Sequence, residues 1–135
     1  MWPALARSFD ALPSGHPRQL RELIESHGGF TVRLGSGTAV SSGICVATRP
    51  SRTLRFDRDG WSDQLVDEWM MSVAAEPAWR ARNVGGWIDP WTGAVSLDVV
   101  RIVPRPFKRL AMALGRATSQ KCVFDLGRRQ MLVLR

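Results

Sequence analysis

Trp87-Ile88-Asp89-Pro90-Trp91-Thr92-Gly93, with the arm Ala94–Val103 behind it, is the stretch on which the fold turns. Asp, then Pro, then a later Gly are the residues of a type I turn closed by a left-handed position. The Asp side chain bonds its own backbone, Pro presets φ, and Gly takes a positive φ without a Cβ clash. The second arm is long and rich in Val and Ile. It reads as a central strand ending at Pro104, antiparallel to the strand that holds Trp87.

Helices are expected on both sides of this hairpin. Pro106–Thr118 has Phe107, Leu110, Ala111, Leu114 and Thr118 on one face and Arg109, Met112 and Arg116 on the other. Upstream, Ser62 is placed to cap a helix, with Asp63 in the first turn, where a carboxylate favours the dipole. Trp61 and Val66 form a staple across that start. Leu65, Val66, Trp69, Met70 and Val73 follow at helical spacing, and Pro77 marks the end. A third helix begins at Pro17, carries Leu20, Leu23 and Ile24, and stops at Gly28-Gly29. Trp2, Leu5 and Phe9 are spaced for a short helix ending at Pro13-Ser14-Gly15.

The remaining segments read as strands. Phe30–Leu34 and Gly43–Ala47 suggest a loose hairpin through Gly35-Ser36-Gly37, and Thr53–Phe56 a short strand. Lys121–Leu126 and Arg129–Leu134 form a second clear hairpin, turning near Gly127-Arg128. Cys122, Phe124 and Leu126 alternate there with Lys121, Val123 and Asp125. Hairpins interrupted by helices predict an α+β fold: a mostly antiparallel sheet of hairpins packed against about three helices. The 135 residues suit one compact domain spanning 1–135, and no linker divides them.

Charge is distributed unevenly. Residues 1–98 hold ten basic and eleven acidic side chains, a net of −1. Residues 99–135 hold nine basic side chains and only Asp125, a net of +8, so the two parts sum to the chain's +7. Seventeen of the nineteen basic residues are Arg, whose planar fork suits phosphate and carboxylate. An excess confined to one third of the chain points to an anionic partner.

The candidate contacts for nucleic acid are Arg101, Arg105, Lys108, Arg109, Arg116, Lys121, Arg128 and Arg129, with Arg135 beyond them. Several cations together are what phosphate neutralisation needs. No helix-turn-helix, zinc finger, RNP motif or GxxG clamp specifies the mode. Trp91, at the hairpin tip, is the candidate partner contact. Asp98 interrupts an apolar strand. By alternation it faces solvent; if buried it needs an Arg partner. Gly85-Gly86, beside Trp87, allows close backbone approach.

Other chemistries find little support. Gly35-Ser36-Gly37 lacks the spacing and the Lys of a phosphate loop. His16 and His27 sit at helix ends, where structural roles suffice. Cys45 and Cys122 lie in apolar segments and are expected to be free, buried thiols. No metal site or cofactor is expected, because neither Cys has a second ligand at short spacing. There is no signal peptide and no membrane-spanning stretch, so the expected location is cytoplasmic.

The leading expectation is therefore a small basic binding protein. It contacts nucleic acid or another polyanion through its C-terminal third, with an accessory role in a mobile element as one setting. The alternatives are a protein–protein interaction module or inhibitor docking on an acidic protein surface, and a small metal-independent nuclease or toxin-like domain. A homodimer through an exposed sheet edge is compatible with any of these.

Overall fold

A computed structural model describes residues 17–34, 38–77 and 83–134. The N-terminal helix expected around Trp2–Phe9, His16, the Gly35-Ser36-Gly37 turn and Arg135 lie outside them. In chain order the main elements are α1 (Pro17–His27), β1 (Gly29–Arg33), β2 (Ile44–Ala47), β3 (Leu54–Phe56), α2 (Asp63–Ala74), β4 (Asn83–Ile88), β5 (Val95–Val103), α3 (Lys108–Ala117), β6 (Cys122–Asp125) and β7 (Gln130–Val133). All seven strands join one antiparallel sheet, so the architecture is α+β.

The strand order is β1-β4-β5-β2-β6-β7, and β3 lies end to end with β2 along the same edge of β5. The hairpin at Asp89–Gly93 forms as its residues dictate. Gly93 has φ +76°, its N–H reaches the Asp89 carbonyl at 2.7 Å, and Asp89 Oδ1 accepts from Trp91 N–H at 2.8 Å. The β6–β7 hairpin is likewise present.

The loose hairpin expected between β1 and β2 is not formed. The chain after β1 turns back for a single bridge, Val32 to Ala39, and then leaves for the other side of β5. β1 pairs instead with β4, where Gly85 and Gly86 let the backbones and Phe30 approach. A Cβ on Gly86 would strike the Phe30 ring and Leu97.

Side chains alternate across the strands, so register assigns each to a face. Phe30, Val32, Val84, Val95, Leu97 and Val99 share the first face with α1 and α2, which contribute Leu20, Leu23, Ile24, Val66, Met70 and Val73. α3 packs farther along the same face, on Ile44, Val46, Val103 and Val123. Ser62 caps α2 through Leu65 N–H at 3.2 Å, as expected. Leu65 itself is exposed, so the buried stripe is narrower than the sequence spacing implied.

The second face closes on itself. Trp87 and Phe124 lie there on β4 and β6, separated by β5 and β2. Following the register, a flat sheet would hold them roughly 25 Å apart. Their rings meet edge to face at 5.2 Å between centroids, so the sheet curls strongly toward this face. Cys45, Val100 and Leu126 are buried inside the curl, against Val40, Ala47, Ile102 and Phe124.

Gly115 fixes how closely α3 approaches. A Cβ there would sit 2.6 Å from Leu134 Cδ1 and 2.8 Å from Val123 Cγ1. Gly115→Val should therefore lower stability by about 1–3 kcal/mol through overpacking. Urea denaturation should show a lower midpoint at unchanged slope. An unchanged midpoint would mean that α3 does not rest on β6 and the chain end as described.

Candidate functional site

The basic residues of the C-terminal third separate into two groups. Two are held by buried carboxylates. Arg105 Nε lies 3.1 Å from Asp125 Oδ2, and Lys121 Nζ lies 3.6 Å from Asp89 Oδ2. Lys121 also stands over the Trp91 ring at 5.4 Å. Trp91 is 52% exposed, but one side of its ring is already occupied by this cation.

Asp89 and Asp125 are anchoring charges. Burial opposes ionisation of Asp89. The Arg55 guanidinium at 2.7 Å, the Trp91 N–H and Lys121 outweigh it and hold the carboxyl down at about 2. For Asp125, burial again opposes the charge, while Arg128 N–H at 3.1 Å and Arg105 bring the carboxyl below its ordinary value. Asp125 thereby ties the approach to α3 to the β6–β7 turn.

Arg101, Lys108, Arg109, Arg116, Arg128 and Arg129 are exposed and make no ion pair among the described residues. Arg101 emerges on the helix-bearing face, between Val99 and Val103. Arg109 and Arg116, seven residues apart, share the outer face of α3. Its inner face is Ala111, Leu114, Gly115 and Thr118. Phe107 and Leu110 were expected there, but they are 58% and 55% exposed. Met112, expected outside, packs partly inward. The reason is that Phe107 belongs to a short 3-10 turn ahead of the helix, and small residues at 111 and 115 draw the packed side of the helix round to them.

The curled face holds the features that sequence reasoning missed. A cavity of about 280 Å³ lies between its two margins, walled by Trp87, Ile88, Pro90, Phe124, Leu126 and Met131, with His27, Asp125 and Arg129 among its polar lining. Beneath the Trp87–Phe124 pair is a smaller hollow of about 30 Å³, bordered by Thr31, Cys45, Asp98, Gln120 and Cys122. That is space for about one water.

Asp98 is buried in this hollow, and neither expected arrangement holds: it is not on a solvent face and no Arg among the described residues pairs with it. Its Oδ1 accepts from the Thr53 hydroxyl at 2.6 Å. Burial pushes its carboxyl above the ordinary 3.8, against the opposing effects of Thr53, Trp87 and Arg55. Cys45 and Cys122 are free, buried thiols, raised by burial to about 12 and about 11.

Among the described residues, no group of three or more His, Cys, Asp and Glu is arranged to hold a metal ion. None of their helices is long and apolar enough to cross a membrane. Compared with protein-family models, curated proteins and solved structures, the chain matches none of them.

Two outcomes follow for the interior. A carboxyl with a raised native pKa keeps its proton where the unfolded chain has released it, so stability falls as pH rises above 3.8. Asp98→Asn should therefore stabilise the protein at pH 7, and thermal unfolding should show the gain vanishing below about pH 3. A stabilisation that persists unchanged in acid would contradict this. Separately, native Cys45 and Cys122 should react with a thiol reagent at pH 8 far more slowly than in urea, because thiolate is the reacting form. Equal rates would place the thiols at the surface.

Proposed function

We propose that the protein binds a polyanion, nucleic acid foremost, through the outer face of α3 and the basic residues around it. One observation carries this reading: Arg109 and Arg116 are displayed side by side with no carboxylate partner among the described residues, while small residues hold the opposite side of the helix to the sheet. Lys108 and Arg101 add charge on the same helix-bearing side. Arg105 contributes its position more than its charge, since Asp125 neutralises it. Lys121 is similarly committed to Asp89 and Trp91.

Backbone phosphates recognised this way confer affinity without sequence preference. A second reading, docking on an acidic protein, draws on Phe107 and Leu110. Both are exposed close to Arg109, and a phosphate backbone has no use for them.

Arg109→Ser combined with Arg116→Ser tests the first reading. Exposed sites usually change stability by less than about 0.5 kcal/mol, so the double variant should fold normally. A fluorescent oligonucleotide titrated at several salt concentrations should bind it more weakly, whatever the sequence. The slope of log K against log salt should drop by roughly 1 for each phosphate that is no longer neutralised. Unchanged affinity and slope would remove α3 from the site. Oligonucleotide binding that is unaffected by Phe107→Ser with Leu110→Ser would exclude an apolar contribution to it.

A further inference from the structure

We infer that the cavity of the curled sheet face is a binding site for a small aromatic or aliphatic carboxylate, with Arg129 as its anchor. This goes beyond the reading of α3, which packs on the opposite face of the sheet.

The cavity's size and chemistry define the ligand. At about 280 Å³ it approaches the lower end of small-molecule pockets and is too narrow for a chain or a duplex. Trp87, Phe124, Leu126 and Met131 give it apolar walls. The body of the ligand is therefore apolar, and the aromatic rings of Trp87 and Phe124 in the lining favour an aromatic one.

Its charge is set by what the polar lining residues are already doing. Asp125 is occupied by Arg105, from the turn ahead of α3, and by Arg128 N–H, so its negative charge is already compensated. Arg129 borders the same cavity and has no acidic partner among the described residues. His27 adds a further polar group to the lining. One guanidinium fork matches the two oxygens of a carboxylate, whereas a phosphate dianion calls for more cations than the cavity offers.

The backbone gives an independent indication. Arg129 has φ +54°, a left-handed conformation that side-chain-bearing residues adopt at a cost. The turn's glycine is two residues earlier, at Gly127. A glycine at 129 would relax the turn. Arg in its place holds a guanidinium at the cavity's margin at the expense of local strain, which is the pattern of a ligand-binding residue.

The test uses naphthoate as the probe, followed by NMR at the Trp87 indole and Gly28 amide N–H groups. Naphthoate should bind saturably and shift both. Naphthylmethylamine, with the same rings and the opposite charge, should bind at least about tenfold more weakly, the loss of one charge-assisted pair. Arg129→Gly should weaken naphthoate by about the same factor while melting at an equal or higher temperature. Met131→Trp, which fills the cavity, should abolish the shifts. The Arg109→Ser, Arg116→Ser variant should bind naphthoate as the parent does, so failure of the α3 reading leaves this one standing. Equal binding of acid and amine, naphthoate affinity unmoved by Arg129→Gly, shifts that avoid Trp87, or no saturable binding would each overturn the assignment. Tighter binding of AMP than of naphthoate would overturn the carboxylate in favour of a nucleotide.

Discussion

β5 is bonded along both edges and, over residues 95–100, buried on both faces, and the rest of the sheet takes its shape from how its edges are shared. β4 pairs with residues 95–100 on one side. On the other, β3 takes 95–97 and β2 takes 100–103. The partners are thus staggered along one long strand. Each added strand is also rotated by the right-handed twist of its neighbour. Stagger and twist together swing β4 and β6 toward each other over the second face until Trp87 meets Phe124. The cavity is what remains between the two margins.

Three buried aspartates then divide the work of electrostatics. Asp89 and Asp125 each stand where strands turn, and each gathers a backbone N–H and a basic side chain. Together with Glu76, which receives Arg49 and Arg52, they consume cations as structural fasteners. The positive charge of the C-terminal third is therefore only partly available to a partner. Asp98 differs in kind: it has a hydroxyl but no ion pair among the described residues, and it costs stability when charged. Residues that weaken a fold in this way collect where a protein handles ligands.

What the sequence revealed was local. The Asp89–Gly93 turn, the Ser62 cap and the helix stop at Gly28 all depend on residues a few positions apart, and each formed as expected. Partner choice in the sheet is not local. Phe30–Leu34 and Gly43–Ala47 looked like neighbours because they are close in the chain, but the better-buried pairing for β1 was β4, across a gap that holds α2. The inner face of α3 was misjudged for a related reason. Hydrophobicity nominated Phe107 and Leu110, whereas closeness of approach selected Ala111 and Gly115. Arg129 was visible as a charge; its place beside a cavity depends on curl, which no short window of sequence encodes.

The two candidate surfaces lie on opposite faces of the sheet but share the β6–β7 hairpin. Asp125 borders the cavity and also holds Arg105, the residue that leads into α3. Alternation along β6 puts the Asp125 side chain with Val123 and Ile44 on the helix-bearing face, where Arg105 meets it, and leaves Phe124 and Leu126 to the cavity side. Arg128 and Arg105, not Arg129, are the cations that act on this carboxylate. Arg129 is therefore left without an ion pair among the described residues even though Asp125 is four positions away. The Asp125–Arg105 pair thus fixes the start of the basic helix and holds the turn that carries Arg129 from the face opposite the cavity.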